Sequence, residues 1–470
     1  MDTDELLMRT AEIARAYNRD VGSRRVGASA TADDLRRTLG GPLPDTGVEP
    51  MTVIDEFARG AEPGLTATSG PRFFGFVIGG SLPAALAAEW LATTWDQNCG
   101  IHVCSPAAAV VEEIVSGWLL DLLDLPRTSS VGFVTGGQMA NFTCLAAARH
   151  EVLRRAGWSV EDDGLGDAPA VRVVTSTEAH TTVFAALSML GLGRRRAVQV
   201  ATDAQGRMRP DALAEALAGY DGPTIVSAQA GNVNTGAVDP LQEIAEIAHD
   251  HGAWLHVDGA FGLWGRASAQ RRDQVVGAEF ADSWAVDAHK WLNVPYDSGL
   301  AIVAHPDAHR AAMTVIASYL VEAGASVREP HWWVPESSRR GRGFAIYAAL
   351  RSLGQDGVAA LVDRCCDHAA RIAMRLGQEP DITVLNDIVL NQALVQFTPR
   401  GGGDADAFTQ AVIDRVQADG TCYLSGAVWH DMKVMRISVS NWSTTEADMD
   451  RLADAILRAI ELEDAARSAP

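Results

Sequence analysis

The chain has 470 residues, 47% of them hydrophobic, and a formal net charge of −21 at pH 7. This length allows two or three structural units with large cores, and the acidic balance argues against binding to nucleic acid or to anionic membranes. The most apolar runs, such as 81–92, are too short to span a bilayer. The six cysteines form no C-x-x-C pair and the acidic N-terminus lacks the apolar core of a signal peptide, so we expect a cytoplasmic protein with reduced thiols.

Helical and strand patterns alternate along most of the chain. A helix over Glu5–Tyr17 lies in a predicted N-terminal arm, residues 1–65, and Ser105-Pro106 supplies the N-cap and first-turn proline of a further helix. Buried strands are predicted at Val171–Thr175, Ala197–Ala201, Thr224–Ala228, Trp254–Asp258, Asp282–Val286 and Gly299–Ala304. Helices are predicted between several of these strands, over Thr181–Leu190, Pro210–Ala218 and Leu241–His251.

This alternation predicts an α/β domain over residues 66–310, with a mainly parallel sheet covered by helices on both faces. After about Ala311 the pattern changes to a loop rich in Trp, Pro and Arg, followed by a helix over Phe344–Leu353. Strands mixed with helices continue to the end. We therefore expect a smaller α+β domain over residues 311–470.

Lysine is rare in this chain: Lys290 and Lys433 are the two lysines among 39 Lys and Arg residues. A lysine amine can lose its proton and attack an aldehyde, whereas an arginine guanidinium stays protonated. Lys290 is therefore the candidate attachment point for an aldehyde cofactor held as a Schiff base. A chance surface lysine is the alternative, and the neighbouring motifs decide between the two.

Asp258 ends the strand-like run 253–258 and precedes Gly259. A polar residue at the carboxyl end of a buried parallel strand faces the ligand crevice. An aspartate in that place suits a protonated pyridine nitrogen, and protonation makes such a ring an electron sink. Aspartate before glycine also occurs in ordinary turns, but the presence of Lys290 favours the functional interpretation.

Gly136, Gly137 and Gln138 connect a strand-like run to a helix predicted over Ala140–Leu153. Backbone N–H groups at a helix N-terminus, together with the positive end of the helix dipole, bind phosphate groups. A tight connection between strand and helix is the alternative. His289, next to the lysine, is placed to donate to the same phosphate.

Four histidines near these motifs have different interpretations. His180 follows a strand and opens a helix, where an imidazole can stack on a planar cofactor, although an ordinary helix cap is the alternative. His249, His251 and His256, close to Asp258, raise the question of a metal site. Because neither H-E-x-x-H nor a Cys/His ligand spacing is present, we expect no metal.

Taken in order, these motifs resemble the pyridoxal-phosphate-dependent group II amino-acid decarboxylases, which include glutamate and aromatic amino-acid decarboxylases. The matching segments are Thr135-Gly136-Gly137-x-x-Ala140-Asn141, His180, 231–236, 256–262, 289–292, 335–340 and 436–441, within residues 70–450. The resemblance implies a fold-type I homodimer with its active site at the subunit interface. It also implies pyridoxal 5′-phosphate as the cofactor and decarboxylation of an L-amino acid to the amine and CO₂.

The resemblance also assigns residue roles. Lys290 would form the aldimine, Asp258 would pair with the pyridine nitrogen, and His180 would stack on the ring. The other cofactor-binding residues would be Gly136, Gly137, Gln138, His289, Ala260 on the ring face, and Asn234 or Thr235 lining the cavity. The substrate-binding candidates are Phe76, Arg340 and Arg436, because phenylalanine lies in a pocket-forming segment and arginine binds carboxylates bidentately. Structural ion pairs are the alternative for Arg339, Arg340 and Arg436.

Two departures from the family bear on the outcome of the reaction. Met139 stands where these enzymes usually have an acidic residue, and the stretch 322–335 lacks the tyrosine that normally protonates the carbon left by CO₂. His331 is the candidate replacement, since an imidazole is an effective acid near neutral pH. The alternatives on the same scaffold are an aldolase-type carbon–carbon lyase, an aminotransferase and an oxidative deaminase. A non-catalytic binding protein is disfavoured because Lys290 is retained.

Overall fold

The computed structural model describes residues 3–314 and 327–468. The chain divides into two compact units, each discontinuous in sequence. The first unit holds the N-terminal residues through Ile78, Arg371–Val384 and the residues from Val395 onward; the second holds Gly79–Ala370 and Leu385–Leu394. The three continuous segments 1–65, 66–310 and 311–470 stay a prediction. Residues 322–326 of the stretch 322–335 lie outside the described residues.

The helices, in chain order, are α1 (Thr3–Asp20), α2 (Ala32–Leu39), α3 (Pro50–Ala61), α4 (Pro83–Trp95), α5 (Pro106–Leu122), α6 (Gly137–Arg155), α7 (Val160–Asp163), α8 (Thr181–Met189), α9 (Pro210–Leu217), α10 (Leu241–Asp250), α11 (Pro306–Met313), α12 (Gly343–Leu376), α13 (Ala405–Asp419) and α14 (Glu446–Ser468). The strands are β1 (Ser130–Val134), β2 (Arg172–Ser176), β3 (Val198–Val200), β4 (Thr224–Gln229), β5 (Trp254–Asp258), β6 (Ser283–Asp287), β7 (Gly299–Val303), β8 (Ile382–Val384), β9 (Gln392–Phe397), β10 (Ser425–Trp429) and β11 (Met432–Ser438). Short 3-10 turns connect several of these elements.

The second unit is built on a seven-stranded sheet of order β1-β7-β6-β5-β4-β2-β3. The strands from β3 to β6 pair in parallel, and β7 is antiparallel to both β6 and β1. Every residue of β4, β5 and β6 is buried, as expected for strands covered on both faces. The prediction of a mainly parallel sheet is confirmed, and each of the six predicted strands ends within one residue of the observed one.

Helix α6 packs closely on this sheet because its inner face is made of small residues. Cys144, Ala147 and Ala148 are fully buried and share a core cluster with Ile225 of β4 and Trp254 of β5. Small side chains allow the helix axis to approach the strands. The first turns of α6 consequently lie over the carboxyl ends of β5 and β6, where the candidate cofactor-binding residues are found.

A second, four-stranded sheet has the order β10-β11-β9-β8, in which β10 pairs antiparallel with β11 and β8 with β9. Strands β8, β10 and β11 and the second half of β9 belong to the first unit. Helices α13 and α14 belong to the same unit, which agrees with the α+β character predicted for the C-terminal part. The helix predicted over Glu5–Tyr17 lies inside α1, also in this unit. Across residues 3–314 and 327–468, no helix has both the length and the apolar character needed to cross a membrane.

The helix predicted over Phe344–Leu353 agrees with the first of two helical segments of α12, which meet at a kink at Gly354 and together extend to Leu376. Gly354 adopts φ 64°, a left-handed conformation that breaks the helical geometry at a single residue. The helix resumes after this kink because the following residues again present an apolar stripe, including Val358, Leu361 and Val362, that is buried.

Candidate active site

The predicted lysine and aspartate lie at the carboxyl ends of two neighbouring parallel strands. Asp258 is the last residue of β5 and pairs with Ala285 of β6. Just after β5, the carbonyl oxygen of Ala260 accepts from the backbone N–H of Asp287, the last residue of β6, at 2.8 Å. This pairing places Asp258 and Lys290 at the same edge of the sheet, which is the usual ligand-binding edge of a parallel sheet.

Lys290 forms an ion pair that was not predicted from the sequence. Its Nζ lies 2.9 Å from Oδ2 of Asp287, whose side chain is only 2% exposed. The carboxylate of Asp287 also lies 3.2 Å, through Oδ1, from Nε2 of His289. An acidic residue three positions before the lysine, at the end of a buried strand, was the available signal. Asp287 therefore joins Lys290 and His289 in one cluster.

The protonation of His289 follows from its partners. The backbone N–H of Ser298 donates to Nδ1 of His289 at 3.2 Å, so Nδ1 is an acceptor. Burial lowers the pKa of His289, although the charge of Asp287 partly opposes that shift. The imidazole is therefore neutral near pH 7 and carries its proton on Nε2, facing Asp287.

The N-terminus of α6 completes this cluster. The backbone N–H of Gly137 donates to Oδ1 of Asp287 at 2.5 Å. A Cβ atom at Gly136 would lie 2.8 Å from Cε1 of His289, and one at Gly137 would lie 2.8 Å from Oδ2 of Asp287. Close approach therefore requires glycine at both positions, and Gly136 itself has an ordinary extended backbone at φ 165°. Gln138 is exposed at the same helix end.

Asp258 is held by two donors, one of which the sequence analysis did not identify as a site residue. Its Oδ1 accepts from the backbone N–H of Ala260 at 3.2 Å. Its Oδ2 accepts from Nδ2 of Asn141 at 3.0 Å. Asn141 lies one helical turn after Gly137, so α6 contacts both Asp287 and Asp258 through the same face.

His180 lies close to Asp258, as the sequence predicted. It is the N-cap residue of α8, and its Nδ1 lies 2.8 Å from Oγ1 of Thr182. His180 and Asp258 line the same small cavity. His180 is therefore a helix cap, and its stacking on the cofactor ring stays a prediction.

The loop after β4 begins beside Asp258, because the backbone N–H of Ala230 donates to the carbonyl oxygen of Asp258 at 2.8 Å. The loop itself is fixed by side chains. Asn232 accepts from the backbone N–H of Asn234 at 2.8 Å, and Thr235 donates to the carbonyl oxygen of Gln205 at 2.8 Å. The cofactor contact predicted for Asn234 stays a prediction.

The substrate-binding candidates have different surroundings. Arg340 forms an ion pair with Glu89 and donates to Oγ1 of Thr93 at 2.6 Å, so it is already engaged by α4. Phe76 and Arg436 belong to the first unit. Phe76 is exposed and stacks on Tyr423, whereas burial of Arg436 lowers its pKa to about 10. Their approach to a substrate stays a prediction.

Arg339 differs from these candidates, because it is a structural ion pair. Its guanidinium donates to both carboxylate oxygens of Glu112, at 2.6 and 2.9 Å, and both side chains are buried. Of the two interpretations given above for Arg339, the structural ion pair is therefore the correct one. Such a buried, bidentate pair fixes the start of the segment that leads into α12.

His331 and Trp332 are buried in the second unit, and Trp333 is partly buried there. The backbone N–H of His331 donates to the carbonyl oxygen of Gly100 at 2.9 Å, and its ring packs edge-on against Trp332. Trp332 lies under the guanidinium of Arg310, at 3.5 Å, and the carbonyl oxygen of Trp333 is 3.0 Å from Nε2 of His309. These contacts favour packing over a pocket-lining role for the tryptophans.

No group of three or more His, Cys, Asp or Glu side chains is placed to hold a metal ion within residues 3–314 and 327–468. His256, considered above as a metal ligand, instead binds Asn141 and Ser283. His249 and His305 both bind Asp282 at the far end of β6.

Comparison with known proteins adds independent information. The model of the pyridoxal-dependent decarboxylase conserved domain matches residues 33–398. L-2,4-diaminobutyrate decarboxylase of Rhizobium meliloti (strain 1021) is 28% identical over 461 residues, with 96% of this chain and 89% of that protein covered. 4-Hydroxyphenylacetaldehyde synthase of Rhodiola rosea is 26% identical over 437 residues, with 88% of this chain and 86% of that protein covered. The crystal structure of Oryza sativa TDC with PLP and tryptamine has a TM-score of 0.91 at 23% identity, over 98% of this chain and 99% of that one.

Proposed function

The chain belongs to the pyridoxal-dependent decarboxylase family and is a carboxy-lyase that uses pyridoxal phosphate, and we propose that Lys290 carries this cofactor while an L-amino acid is converted to its amine and CO₂. One observation carries the assignment of Lys290. Its amine is held by Asp287 at the edge of the sheet that also bears Asp258. The chain's other lysine, Lys433, lies on β11 in the first unit.

The residues at this edge match the three functional parts of the cofactor. The amine of Lys290 suits the aldehyde, and the carboxylate of Asp258 suits a protonated ring nitrogen. The glycine-lined N-terminus of α6, with His289 beside it, suits the phosphate. When bound, pyridoxal phosphate supplies an electron sink for the bond to the departing carboxylate.

The phosphate site has one consequence for the predicted roles. Asp287 already accepts from the N–H of Gly137. The N–H groups of Gln138 and Met139, which come next in the first turn, have no partner within the helix. Unlike the N–H of Gly137, they are not used by Asp287. We therefore assign to Gly136 and Gly137 the role of allowing close approach, and to the following N–H groups the role of binding the phosphate.

The remaining residues orient the cofactor and the substrate. Asp258 is fixed through both of its oxygens, so its carboxylate has one orientation toward the ring nitrogen. His180 would stack on the ring, and Ala260 would contact the ring face. Arg340 would bind a substrate carboxylate only after leaving Glu89; Arg436 and Phe76 are the other proposed substrate contacts.

A proton must reach the α carbon after CO₂ leaves, and His331 is the proposed donor. A second outcome, aldehyde formation, is favoured by one observation: the chain is similar along most of its length to 4-hydroxyphenylacetaldehyde synthase. In that reaction the amino acid, dioxygen and water give aldehyde, CO₂, ammonia and hydrogen peroxide. The missing tyrosine over 322–335 points to the same alternative.

We also propose that the enzyme is a cytoplasmic homodimer with a shared active site. Large apolar side chains of α4 and α5 are exposed on the single chain, namely Trp90, Leu91, Trp95, Val110 and Ile114. Exposed large apolar side chains in such number on two helices are typical of a subunit interface. All six cysteines are free thiols, which supports a reducing compartment.

The test compares the wild-type holoenzyme with Lys290→Ala and with Lys433→Arg as the matched control. We expect visible absorption from the bound cofactor in the wild type and in Lys433→Arg, and its loss in Lys290→Ala. A panel of L-amino acids, assayed for CO₂, amine and aldehyde, then identifies the reaction. Equimolar CO₂ and amine support decarboxylation. Aldehyde in place of amine would establish the second outcome, and product without CO₂ would exclude both.

A further inference from the structure

We propose that Asn141 is a positioning residue for both Asp258 and His180, because it connects them within a buried hydrogen-bond network whose donor order is set by the carboxylate of Asp258. The inference rests on the proposed function, since Asp258 and His180 are the residues expected to contact the cofactor ring. It concerns side chains inside the second unit that do not themselves touch that ring.

The chain of side chains starts on one face of β5. Trp254, His256 and Asp258 alternate along the strand and therefore point to the same side. Ser283 of β6 is the register partner of His256. Asn141 reaches this face from α6. Four of these five residues are fully buried and Asp258 is 6% exposed, so water is excluded and each polar atom needs a partner in the protein.

The direction of each hydrogen bond follows from Asp258, because a carboxylate only accepts. Oδ2 of Asp258 accepts from Nδ2 of Asn141 at 3.0 Å, so Oδ1 of Asn141 faces His256. That oxygen accepts from Nε2 of His256 at 2.8 Å, so Nδ1 of the neutral imidazole carries no proton and accepts from the hydroxyl of Ser283 at 3.0 Å. Ser283 Oγ in turn accepts from Trp254 Nε1 at 2.9 Å.

The amide of Asn141 is therefore used at both ends. Its oxygen accepts from His256, and its Nδ2 donates to Oδ2 of Asp258. The same nitrogen donates to Oγ1 of Thr182 at 3.1 Å. The amide supplies two N–H groups, and both are used.

A second series of hydrogen bonds runs from Asn141 through Thr182 to His180. Because Thr182 Oγ1 accepts from Asn141, its hydroxyl proton is directed to Nδ1 of His180 at 2.8 Å. His180 therefore accepts at Nδ1 and carries its proton on Nε2 when neutral. The backbone N–H of Thr182 donates to the same Nδ1 at 3.4 Å, and that of Ala260 holds the other oxygen of Asp258 at 3.2 Å. Asn141 thus completes the set of donors that orient the Asp258 carboxylate and, through Thr182, supports this tautomer of His180.

The burial of His256 maintains this order of hydrogen-bond donors and acceptors. Burial lowers the pKa of His256 to about 4, with the charge of Asp258 partly opposing that shift. The imidazole is therefore neutral near pH 7, and a second ring proton, which would reverse the bond from Ser283, is absent.

The experiment uses the holoenzymes of the wild type, Asn141→Ala and Asn141→Asp. The matched control is Thr143→Val, a buried polar residue of α6 whose hydroxyl donates only to the Met139 carbonyl oxygen. Five quantities are measured: the Kd for pyridoxal phosphate, kcat, KM, the pH at which the visible band of the bound cofactor changes, and the thermal midpoint. The pH midpoint reports the surroundings of the ring and is not moved by a purely structural role.

We expect Asn141→Ala to lower kcat about tenfold or more, with a smaller change in KM, since a charge-assisted hydrogen bond is lost. The Kd for pyridoxal phosphate rises by a similar factor, and the pH midpoint moves by about half a pH unit or more. Asn141→Asp, which replaces the N–H groups by a second carboxyl group beside Asp258, moves the pH midpoint at least as far, because two adjacent carboxyl groups disfavour each other's ionisation. Thr143→Val leaves the pH midpoint unchanged.

Three results would overturn the inference. The first is a folded Asn141→Ala enzyme with the wild-type pH midpoint and kcat. The second is an equal displacement in Thr143→Val. The third is failure of both Asn141 variants to fold while Thr143→Val folds, which makes the role structural. A wild-type protein without cofactor absorption would instead refute the proposed function, and this inference with it.

Discussion

At the scale of single residues, Asp287 changes the description of the site most. Its carboxylate accepts from three donors: Lys290, His289 and the N–H of Gly137. These donors compensate the charge of a side chain that is almost completely buried, which would otherwise be costly. The same contacts orient the amine of Lys290 along the edge of the sheet, so Asp287 positions the amine that we propose reacts with the cofactor.

The donor of the final proton is also a question about single residues. We predict that His331→Gln raises the ratio of aldehyde to amine about tenfold or more, because loss of a general acid slows protonation of the α carbon. Tyr296→Phe is the comparison, since the Tyr296 ring packs 4.3 Å from the ring of His289 and its hydroxyl is the nearby alternative acid. We expect Tyr296→Phe to leave the ratio unchanged. A shift in Tyr296→Phe but not in His331→Gln would transfer the role to the tyrosine.

At the scale of elements, the start of α6 determines how closely an anion approaches. We predict that Gly136→Ala raises the Kd for pyridoxal phosphate about tenfold, because the new methyl group meets the His289 ring and overpacking costs about 1–3 kcal/mol. Titration of the apoenzyme with the cofactor measures the change. Gly117→Ala on α5 is the control, since a Cβ there meets nothing within 4 Å. An unchanged Kd in Gly136→Ala would contradict the close approach described here.

The opposite end of β6 carries a pH-dependent contact between three elements. Asp282, just before β6, accepts from His305 at 2.8 Å, from His249 of α10 at 3.3 Å and from the N–H of Leu255 at 2.7 Å. Burial alone would raise the pKa of Asp282, but these hydrogen bonds outweigh it and lower the pKa to about 2. The hydrogen bond to Asp282 is in turn the main cause that raises the pKa of His249.

The sign of the resulting pH dependence follows from linkage. Because the pKa of Asp282 is lower in the folded state, its stabilisation is complete above about pH 4 and is lost as the pH falls through about 2, in total about 2 kcal/mol. The stabilisation that His249 contributes to the folded state is complete below about pH 6.5. It is lost as the pH rises through the raised pKa of His249. We predict that Asp282→Asn lowers the thermal midpoint most between these limits. A constant difference from pH 3 to pH 9 would contradict the assignment.

The sequence predicted some elements more closely than others, for physical reasons. The run Trp254–Asp258 matched β5 at both ends because glycine follows it and its residues are continuously buried. The start of α6 was predicted three residues late, since two glycines have low helix propensity and obscure the first turn.

The site residues also differed in how well the sequence predicted them. Lys290 and Asp258 were recognisable because each has a distinctive chemical type at a strand end. Asn141 and Asp287 were missed as site residues because their roles depend on the pairing of β5 with β6 and on the packing of α6 over both. That pairing is a tertiary property which no local pattern contains.

At the scale of the whole molecule, the proposed homodimer accounts for the exposed apolar residues of α4 and α5. We predict that the wild type has twice the chain mass in solution, and that Leu91→Glu is monomeric and inactive, because burying a charge in an apolar interface is costly. Light scattering coupled to size exclusion measures the mass. Leu43→Glu, at an exposed apolar position outside these helices, is the control and is expected to stay dimeric. A fully active monomer would contradict the shared active site.

The most direct test of the central claim uses the scarcity of lysine in this chain. Borohydride reduction of the holoenzyme fixes the cofactor to the amine that carries it, and mass spectrometry of proteolytic peptides then locates the adduct. We predict one adduct per chain, on Lys290, and none after Lys290→Ala. An adduct on Lys433, or a reduced holoenzyme with no labelled lysine, would contradict the account.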